Sequence, residues 1–384
     1  MLRNTRFSLL LVLTMISCCA CTGGRTQEDK APDPEKEFLL EMWEPDTYEA
    51  LCTLMEDVKE GDYAVFDFDN TMIIGDISDA VFQYQVEHLR FAFDPKDFFS
   101  VVTAAIPDID RPLDDSGVTY RDLASSASVH YLGARMLSSS PFADYSVLET
   151  FRAEMLALVH FAYTVFGDDA GNLTLFGLMT GMTQEEQRTL ALEAADVALE
   201  PTLLSLEFWN TEAFSLPMVR GMGITPEMRS LVMALRRAGV RVCICSASAQ
   251  PMVEAVAERE FGIPAADVFG IRFQHDSAGR MEQRYLPDYP VTLKEGKVEC
   301  INRLISPDGR SPILVAGDSD GDYQMLTAYP DLRLGLIIDK DQTEGLLLPL
   351  LTQARQHPGH PYCGQYRAAN LKWLVPNGPS LELL

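Results

Sequence analysis

The chain has 384 residues, enough to bury a large core, and 47% of them are apolar, which excludes an intrinsically disordered protein. Its 31 basic and 56 acidic residues give a formal net charge of −25 at pH 7. That charge repels nucleic acid and anionic membrane surfaces, so neither is expected as a direct partner. Chemistry on a phosphate group would need a local cluster of cations and backbone N–H groups that outweighs this field.

Residues 1–21 have the pattern of an export signal. A basic start precedes an apolar stretch over 7–16, too short to span a membrane, and three cysteines follow: Cys18, Cys19 and Cys21. The pattern resembles a bacterial lipoprotein signal, whose first mature cysteine carries a lipid; Cys18 and Cys21 fit best, and an ordinary leader is the alternative. Residues 22–37 are polar, as in a flexible tether. We expect an exported protein, on the periplasmic or surface side, attached to a membrane only by the lipid.

The folded part is predicted to begin with a helix over 38–57, where apolar residues recur at helical spacing. It leads into an apolar strand over 64–68 whose end is polar: Asp67, Asp69 and Thr71. The period of two places these three on one side of the chain as it leaves the sheet. Because neighbouring carboxylates repel each other, their proximity favours a divalent cation between the oxygens, and Mg²⁺ prefers such ligands. A calcium loop is excluded because Met72 and Ser78 occupy the positions that need Gly and Glu.

Residues 77–220 predict a long and mostly helical section. Its clearest helix follows Thr183, whose hydroxyl can cap the first turn while Glu186 reaches back to the cap. The helix continues through a run rich in Leu and Ala that ends at Leu199. No fixed-period repeat occurs in the chain.

A second series of helices and strands begins at Thr225. It contains strands over 240–245, 268–273, 312–316 and 334–338 and helices over 226–238, 251–261 and 296–305. This alternation predicts an α/β fold with a doubly wound parallel sheet, whose ligands bind beyond the carboxyl ends of the strands. Polar clusters occur at such ends. Because Cys243 and Cys245 lie inside an apolar strand pattern, we expect buried thiols rather than a disulfide framework.

Four polar motifs in a fixed order resemble those of the haloacid dehalogenase superfamily of phosphohydrolases, in particular its phosphoserine-phosphatase-like branch. The first is Asp-Phe-Asp-Asn-Thr at 67–71, and the second is Ser246 within Ser-Ala-Ser. The third is Lys297 within Gly-Lys, and the fourth is the acidic loop at 317–322. The resemblance covers about residues 60–78 and 225–340. It implies a Rossmann-type core with an inserted cap domain.

The resemblance also implies a role for each motif residue. Asp67 would attack phosphorus and carry an aspartyl-phosphate. Asp69 would act first as an acid toward the leaving group and then as a base toward water. Thr71, Ser246, Ala247 and the N–H groups at the start of the helix that follows would hold phosphate oxygens.

Two further features complete the implied site, a lysine and a metal ion. Lys297 would neutralise charge on the transferring group, and Lys294 is the alternative that does not match the family pattern. Mg²⁺ would bind beside it. Its implied ligands are the Asp67 carboxylate, the Asp69 backbone carbonyl and Asp318, with Asp322 binding through water or positioning Lys297.

The acidic residue Asp76 bears on the substrate. It stands nine residues after Asp67, where the phosphoserine enzymes of the family place an acidic substrate contact, so an amine-bearing substrate is expected. A solvated loop aspartate is the alternative. Four aromatic residues of the predicted cap could face a cationic substrate group or, alternatively, pack the core of the cap: Phe82, Tyr84, Tyr131 and Trp209.

These observations predict a hydrolase core over 38–76 and 221–384, interrupted by a helical cap over 77–220. The expected function is Mg²⁺-dependent hydrolysis of a small phosphomonoester such as phosphoserine or phosphocholine. The rival hypothesis is a surface lipoprotein that uses the same fold only to bind a ligand or partner, and the complete set of catalytic groups argues against it. A membrane pump is excluded because the chain has no run of about 20 apolar residues.

Overall fold

The computed structural model describes residues 43–137, 145–199, 205–210, 214–357 and 361–367. The predicted export signal over 1–21, with its three cysteines, and the tether over 22–37 lie outside these residues. So does the start of the helix predicted over 38–57, of which Pro45–Glu56 is helical. Within the described ranges, no helix is both long enough and apolar enough to cross a membrane.

The described residues contain one large parallel sheet and three two-stranded ones. Their strands are β1 (Tyr63–Phe66), β2 (Ile73–Ile74), β3 (Ser205–Asn210), β4 (Ser215–Arg220), β5 (Gly223–Ile224), β6 (Arg241–Ala249), β7 (Val268–Ile271), β8 (Phe273–His275), β9 (Met281–Tyr285), β10 (Leu314–Gly317), β11 (Leu334–Asp339) and β12 (Tyr362–Tyr366). The large sheet has the order β12-β11-β10-β1-β6-β7, and all of its neighbouring strands are parallel. The predicted α/β class with a doubly wound parallel sheet is confirmed.

Helices connect and flank these strands. In the described ranges they are α1 (Pro45–Glu56), α2 (Ile77–His88), α3 (Phe98–Thr103), α4 (Tyr120–Leu137), α5 (Tyr145–Phe166), α6 (Asp168–Gly177), α7 (Gln184–Ala198), α8 (Pro226–Arg237), α9 (Gln250–Phe261), α10 (Glu295–Cys300), α11 (Tyr323–Thr327) and α12 (Leu347–Gln356). The predicted capping box precedes α7, because Thr183 Oγ1 accepts from the Glu186 N–H group at 3.2 Å while Glu186 Oε2 accepts from the Thr183 N–H group at 2.7 Å. A π-helical turn, Ile301–Ile305, continues α10.

Strand β1 lies in the middle of the large sheet and is buried along its whole length. Val65 is in register with Val315 on one side and with Cys243 on the other. A parallel strand covered on both faces needs a continuous apolar run, which explains the sequence Tyr-Ala-Val-Phe. Cys243 and Cys245 are buried free thiols, as expected.

The apolar residues of 77–220 belong to two different buried clusters. Phe82, Tyr131 and Trp209 pack together in a cluster formed by α2 to α6 and the antiparallel β3–β4 pair. In contrast, the apolar face of α7, which includes Leu190 and Ala194, packs with the residues that cover the large sheet. Helix α7 therefore belongs to the buried cluster of the large sheet, although it lies within the section predicted as a cap.

Candidate active site

The carboxyl ends of β1 and β10 bring the first and fourth motifs together. Phe66 is in register with Ala316 in β10 and with Ile244 in β6, so the residues that follow these strands reach the same level. Asp67 directly follows β1, and its N–H group donates to the Ala316 carbonyl oxygen at 2.9 Å. Asp318 directly follows β10 and is also buried. The strand order therefore places carboxylates that are far apart in sequence at one edge of the sheet.

The lysine of the third motif reaches this edge from α10. Lys297 is 2% exposed, and its Nζ lies 2.6 Å from Asp67 Oδ1 and 2.5 Å from Asp322 Oδ1. Burial favours the neutral amine, but the charges of Asp322 and Asp67 outweigh it and raise the pKa of Lys297 above its ordinary value. Lys297 is therefore a buried ammonium group between two carboxylates.

The loop before Lys297 explains why glycine precedes this lysine. A Cβ atom at Gly296 would lie 1.8 Å from the Val291 carbonyl oxygen, so a side chain cannot be placed there without moving the loop. The Thr292 hydroxyl donates to the Ser246 carbonyl oxygen at 2.6 Å and ties the loop to β6. Lys294, the alternative to Lys297, is half-exposed and pairs with Asp168 at 2.7 Å. The geometry thus selects Lys297.

Asp322 uses both carboxylate oxygens inside the site. Oδ1 accepts from Lys297, and Oδ2 accepts from the N–H groups of Asp318 at 3.0 Å and of Ser319 at 3.1 Å. A Cβ atom at Gly317 would lie 2.5 Å from the Asp322 Cβ atom, so the close approach of this loop requires glycine. Of the two roles expected for Asp322, this arrangement favours positioning Lys297.

The donor atoms at the site fit a hard divalent cation. One carboxylate oxygen from each of Asp67, Asp318 and Asp322 lies within 4.8 Å of the others. Burial, together with the charge of Asp322, raises the pKa of Asp67 well above its ordinary value despite the opposing effect of Lys297. A further positive charge would stabilise the ionised form of Asp67, and oxygen ligands of this kind are those that Mg²⁺ prefers.

Asp69 makes its hydrogen bonds to groups other than the three metal-type carboxylates. Its Oδ1 accepts from the Ile77 N–H group at 2.7 Å, and its Oδ2 accepts from the hydroxyls of Ser248 at 2.6 Å and Ser246 at 3.3 Å. Burial first, and then the charges of Asp76 and Asp67, raise its pKa well above the ordinary value. A raised pKa favours the protonated form that a general acid requires.

The second motif has a different local structure from the expected one. Strand β6 continues to Ala249, with an irregularity in its pairing to β7 between Cys245 and Ala249, and α9 begins only at Gln250. The strand expected over 240–245 is therefore longer than predicted, because it extends through Ser246 and Ala247, and the helix expected over 251–261 begins after them. Ser246 is fully buried, whereas Ala247 is partly exposed. Their backbone approaches the site as extended chain rather than as a helix terminus.

Asp76 has a local structural role at the start of α2. Its Oδ1 accepts from the N–H groups of Ser78 at 2.7 Å and Asp79 at 3.3 Å, which makes it the N-cap of the helix. Burial raises its pKa, and these two hydrogen bonds oppose the increase. It is half-buried, and its charge acts on Asp69, so it lies on the Asp69 side of the site.

Three of the four aromatic residues considered for substrate contact pack the interior instead. Phe82, Tyr131 and Trp209 are 2%, 0% and 5% exposed and belong to one buried cluster. The rings of Phe82 and Trp209 stack with their centroids 6.1 Å apart. Tyr84 is partly buried, with its ring centroid 4.4 Å from that of His88. The packing alternative therefore holds for the three buried rings.

Thr71 links the first and fourth motifs, and two further residues were missed from the sequence. The Thr71 hydroxyl donates to Asp318 Oδ1 at 3.0 Å and lies 3.3 Å from Asp67 Oδ2. Ser248, which contacts Asp69, lies two residues after Ser246, so the period of a strand could have identified it. Lys340 contacts Asp318 Oδ2. Its position directly after β11, at the same edge of the sheet, was the available signal.

The sequence matches the family model of haloacid dehalogenase-like hydrolases over residues 175–327. That range contains the second, third and fourth motifs. The resemblance to the haloacid dehalogenase superfamily that was stated from the motifs is confirmed over this range. A search of curated proteins found no match.

The solved structures to which this chain is similar include two proteins of unknown function. A conserved protein from Anaerococcus prevotii is 25% identical, with a TM-score of 0.73 over 86% of this chain and 94% of that one. A protein from Bordetella pertussis is 13% identical, with a TM-score of 0.46 over 78% and 97%. A phosphoserine phosphohydrolase-like protein from Francisella tularensis is 12% identical, with a TM-score of 0.34 over 72% and 87%.

Proposed function

We propose that the chain is an Mg²⁺-dependent phosphatase that hydrolyses a small phosphomonoester through an aspartyl-phosphate on Asp67. The main support is the contact of Lys297 Nζ with Asp67 Oδ1 at 2.6 Å, beside the carboxylates of Asp318 and Asp322. A buried carboxylate next to a fixed ammonium group is suited to attack phosphorus, because negative charge on the transferring oxygens is stabilised without rearrangement of the site.

The reaction has two steps. In the first, an oxygen of Asp67 bonds to phosphorus while the bond from phosphorus to the leaving oxygen breaks, and Asp69 gives its proton to that oxygen. In the second, Asp69 takes a proton from a water molecule, whose oxygen attacks phosphorus and releases inorganic phosphate and the free Asp67 carboxylate. The hydroxyls of Ser246 and Ser248, which contact Asp69 Oδ2, hold this acid and base in place.

The metal ion would bind beside Asp67 and supply positive charge. The carboxylates of Asp67 and Asp318 and the backbone carbonyl of Asp69 would hold Mg²⁺, which would neutralise charge on the attacking carboxylate and the transferring group. Asp322 holds Lys297 and the N–H groups of the fourth motif. Lys340 adds a second ammonium group at Asp318.

An amine-bearing substrate such as phosphoserine or phosphocholine is the proposed substrate class. The half-buried Asp76 acts electrostatically on Asp69, so its charge also extends to the region where a leaving group meets that acid. Asp79 adds a second carboxyl group in the first turn of α2; burial, and then the charge of Asp76, raise its pKa to about 8. A cationic group nearby would favour the ionised forms of both.

The domain division and the location of the protein are also proposals. We propose a core over 38–76 and 221–384 with a helical cap over 77–220, which is supported by the separate buried cluster of α2 to α6.

We propose that the chain is exported and anchored by a lipid on Cys18, Cys19 or Cys21, which is supported by the sequence pattern alone. Mass spectrometry of the native amino-terminal peptide tests the anchor, and an unmodified soluble chain would leave only a secretory leader.

The rival hypothesis, a lipoprotein that only binds a ligand, is less well supported. A protein that only binds has no need of Asp69 at the centre of three hydrogen bonds beside Asp67. The decisive experiment is a phosphatase screen over small phosphoesters, with and without Mg²⁺, using Asp67→Asn as the matched control. Hydrolysis that requires both Mg²⁺ and Asp67 supports the proposal, whereas ligand binding without turnover on any ester supports the rival.

A further inference from the structure

Arg367 follows the edge strand of the large sheet, and its buried cationic side chain reaches the loop of the first motif. It directly follows the edge strand β12, which β11 and β10 separate from β1. The residue is 2% exposed. Its Nη1 donates to the carbonyl oxygens of Asn70 and, at 3.0 Å, of Ile73, and its Nη2 donates to that of Thr71 at 3.1 Å. One guanidinium group thus holds three carbonyl groups of a single loop.

The opposite side of this loop faces the acidic cluster. The Thr71 carbonyl accepts from Arg367, while the Thr71 hydroxyl donates to Asp318 at 3.0 Å and lies 3.3 Å from Asp67. Any rotation of the loop backbone would therefore move the hydroxyl relative to both carboxylates. Arg367 restrains that rotation through its hydrogen bonds to the loop carbonyls.

The conformation of the same loop determines the orientation of the Asp69 carbonyl group, which is the expected backbone ligand of the metal. Asn70 has φ of 56°, in the left-handed region, and its N–H group donates to the Gly75 carbonyl oxygen at 2.9 Å. This N–H group and the Asp69 carbonyl belong to one planar peptide group, so they turn together. Arg367 holds the next peptide group along the chain, which fixes the far side of Asn70.

We propose that Arg367 is a positioning residue for the divalent-cation site, which it shapes by fixing the loop over 70–73. The inference rests on the proposed function of Asp67 and its neighbours. Three separate carbonyls require a planar fork of donors, which arginine has and lysine lacks. Burial lowers the pKa of Arg367 to about 10, and the charges of Asp318 and Glu227 oppose this, so the group is cationic at neutral pH.

A role in positioning can be separated from a role in charge because the two predict different effects on metal binding. Loss of a nearby positive charge would strengthen binding of a second cation, by Coulomb's law. Release of the loop would weaken binding. Arg367→Lys keeps the charge and removes the fork, whereas Arg367→Gln removes both.

The experiment is a titration of the full chain with Mn²⁺ in the absence of substrate, with free Mn²⁺ measured by electron paramagnetic resonance. The matched control is Arg355→Lys, because Arg355 lies near the same edge of the sheet and pairs with Asp339, but its side chain is 55% exposed. We expect the dissociation constant for Mn²⁺ to rise about tenfold or more in Arg367→Lys and in Arg367→Gln, the range known for groups that orient metal ligands, and to be unchanged in the control.

An unchanged constant in Arg367→Lys, or tighter binding in Arg367→Gln, would overturn the inference. So would failure of Arg367→Lys to fold, judged by circular dichroism, because it would assign the residue a general structural role. A wild-type chain that binds Mn²⁺ but hydrolyses no phosphoester would refute the proposed function and not this inference. An active enzyme with normal Mn²⁺ affinity in Arg367→Lys would refute this inference alone.

Discussion

Replacement of Lys297 by methionine tests whether this lysine is the counterion of the buried carboxylates. Lys297 lies 2.6 Å from Asp67 and 2.5 Å from Asp322, and the three side chains are 3%, 9% and 1% exposed. Methionine keeps most of the apolar stem and removes the charge. Two carboxylates would then remain buried without the ammonium group between them, so the folded state would lose free energy relative to the unfolded chain.

The expected loss is about 3–5 kcal/mol in the free energy of unfolding at neutral pH, the range for removing one partner of a buried ion pair. The near-complete burial of all three side chains leaves little room for water to screen the remaining charges. Lys294→Met is the matched control, because Lys294 directly precedes α10, three residues before Lys297, but its side chain is 49% exposed and pairs with the half-exposed Asp168. A surface pair of this kind contributes at most about 1 kcal/mol.

The pH dependence of Lys297→Met has a definite sign. Burial and the charge of Asp322 already raise the pKa of Asp67 in the folded state, and loss of Lys297 removes the main opposing effect. A carboxyl group whose folded pKa exceeds its unfolded value holds protons more tightly when folded, so folding becomes more favourable as pH falls. The destabilisation should therefore be largest at neutral pH and shrink toward about pH 4, the ordinary carboxyl value.

The assay is denaturant unfolding at several pH values, with a chelator present so that no divalent cation replaces the lost charge. The double variant Lys297→Met with Asp322→Asn should recover part of the lost stability, because one of the two uncompensated charges is gone. A Lys297→Met protein as stable as the Lys294→Met control at neutral pH, with no pH dependence of its own, would refute the assignment of Lys297 as the buried counterion.

Three further predictions follow from the site and from its surroundings. Mg²⁺ should raise the thermal midpoint of the wild-type chain, and Asp318→Asn should abolish that increase together with turnover; an equal increase in both would place the metal elsewhere. Asp76→Asn should lower kcat/KM on phosphoserine relative to kcat/KM on glycerol phosphate, and it should leave the fold intact because asparagine is an equally good N-cap. An unchanged ratio of these two values would show that Asp76 does not interact with a positive charge on the substrate. Thr183→Ala should lower the free energy of unfolding by about 1 kcal/mol without changing kcat, measured by denaturant unfolding and steady-state kinetics, and loss of activity would show that α7 acts on the site.

The sequence was sufficient where local patterns determine the structure. The apolar run before Asp67, the strand before Asp318 and the capping box at Thr183 are all short-range signals, and each lies where it was predicted. Because ligands of a parallel sheet bind beyond the carboxyl ends of its strands, the motifs could then be placed together at that end of the sheet. The motif pattern also preferred Lys297 to Lys294, in agreement with the geometry.

The sequence was insufficient where contacts join distant segments. Arg367 binds carbonyls almost 300 residues earlier in the chain. Every residue has a backbone carbonyl, so these partners could not be identified from the residue types. The extension of β6 through Ser246 was missed because the polar residues there resemble the end of a strand, whereas pairing with β7 resumes at Ala249. The packing of Phe82 and Trp209 depends on the β3–β4 pair, which local periodicity did not indicate.

The most direct test of nucleophilic catalysis by Asp67 is mass spectrometry of Asp69→Asn protein quenched during reaction with p-nitrophenyl phosphate. The weakly basic leaving group needs no proton from Asp69, whereas hydrolysis of the aspartyl-phosphate needs Asp69 as a base. We expect one phosphoryl group to accumulate on the peptide that contains Asp67, and none in the double variant with Asp67→Asn. Phosphorylation at another residue, or p-nitrophenol release by Asp67→Asn at a rate close to that of wild type, would contradict the mechanism.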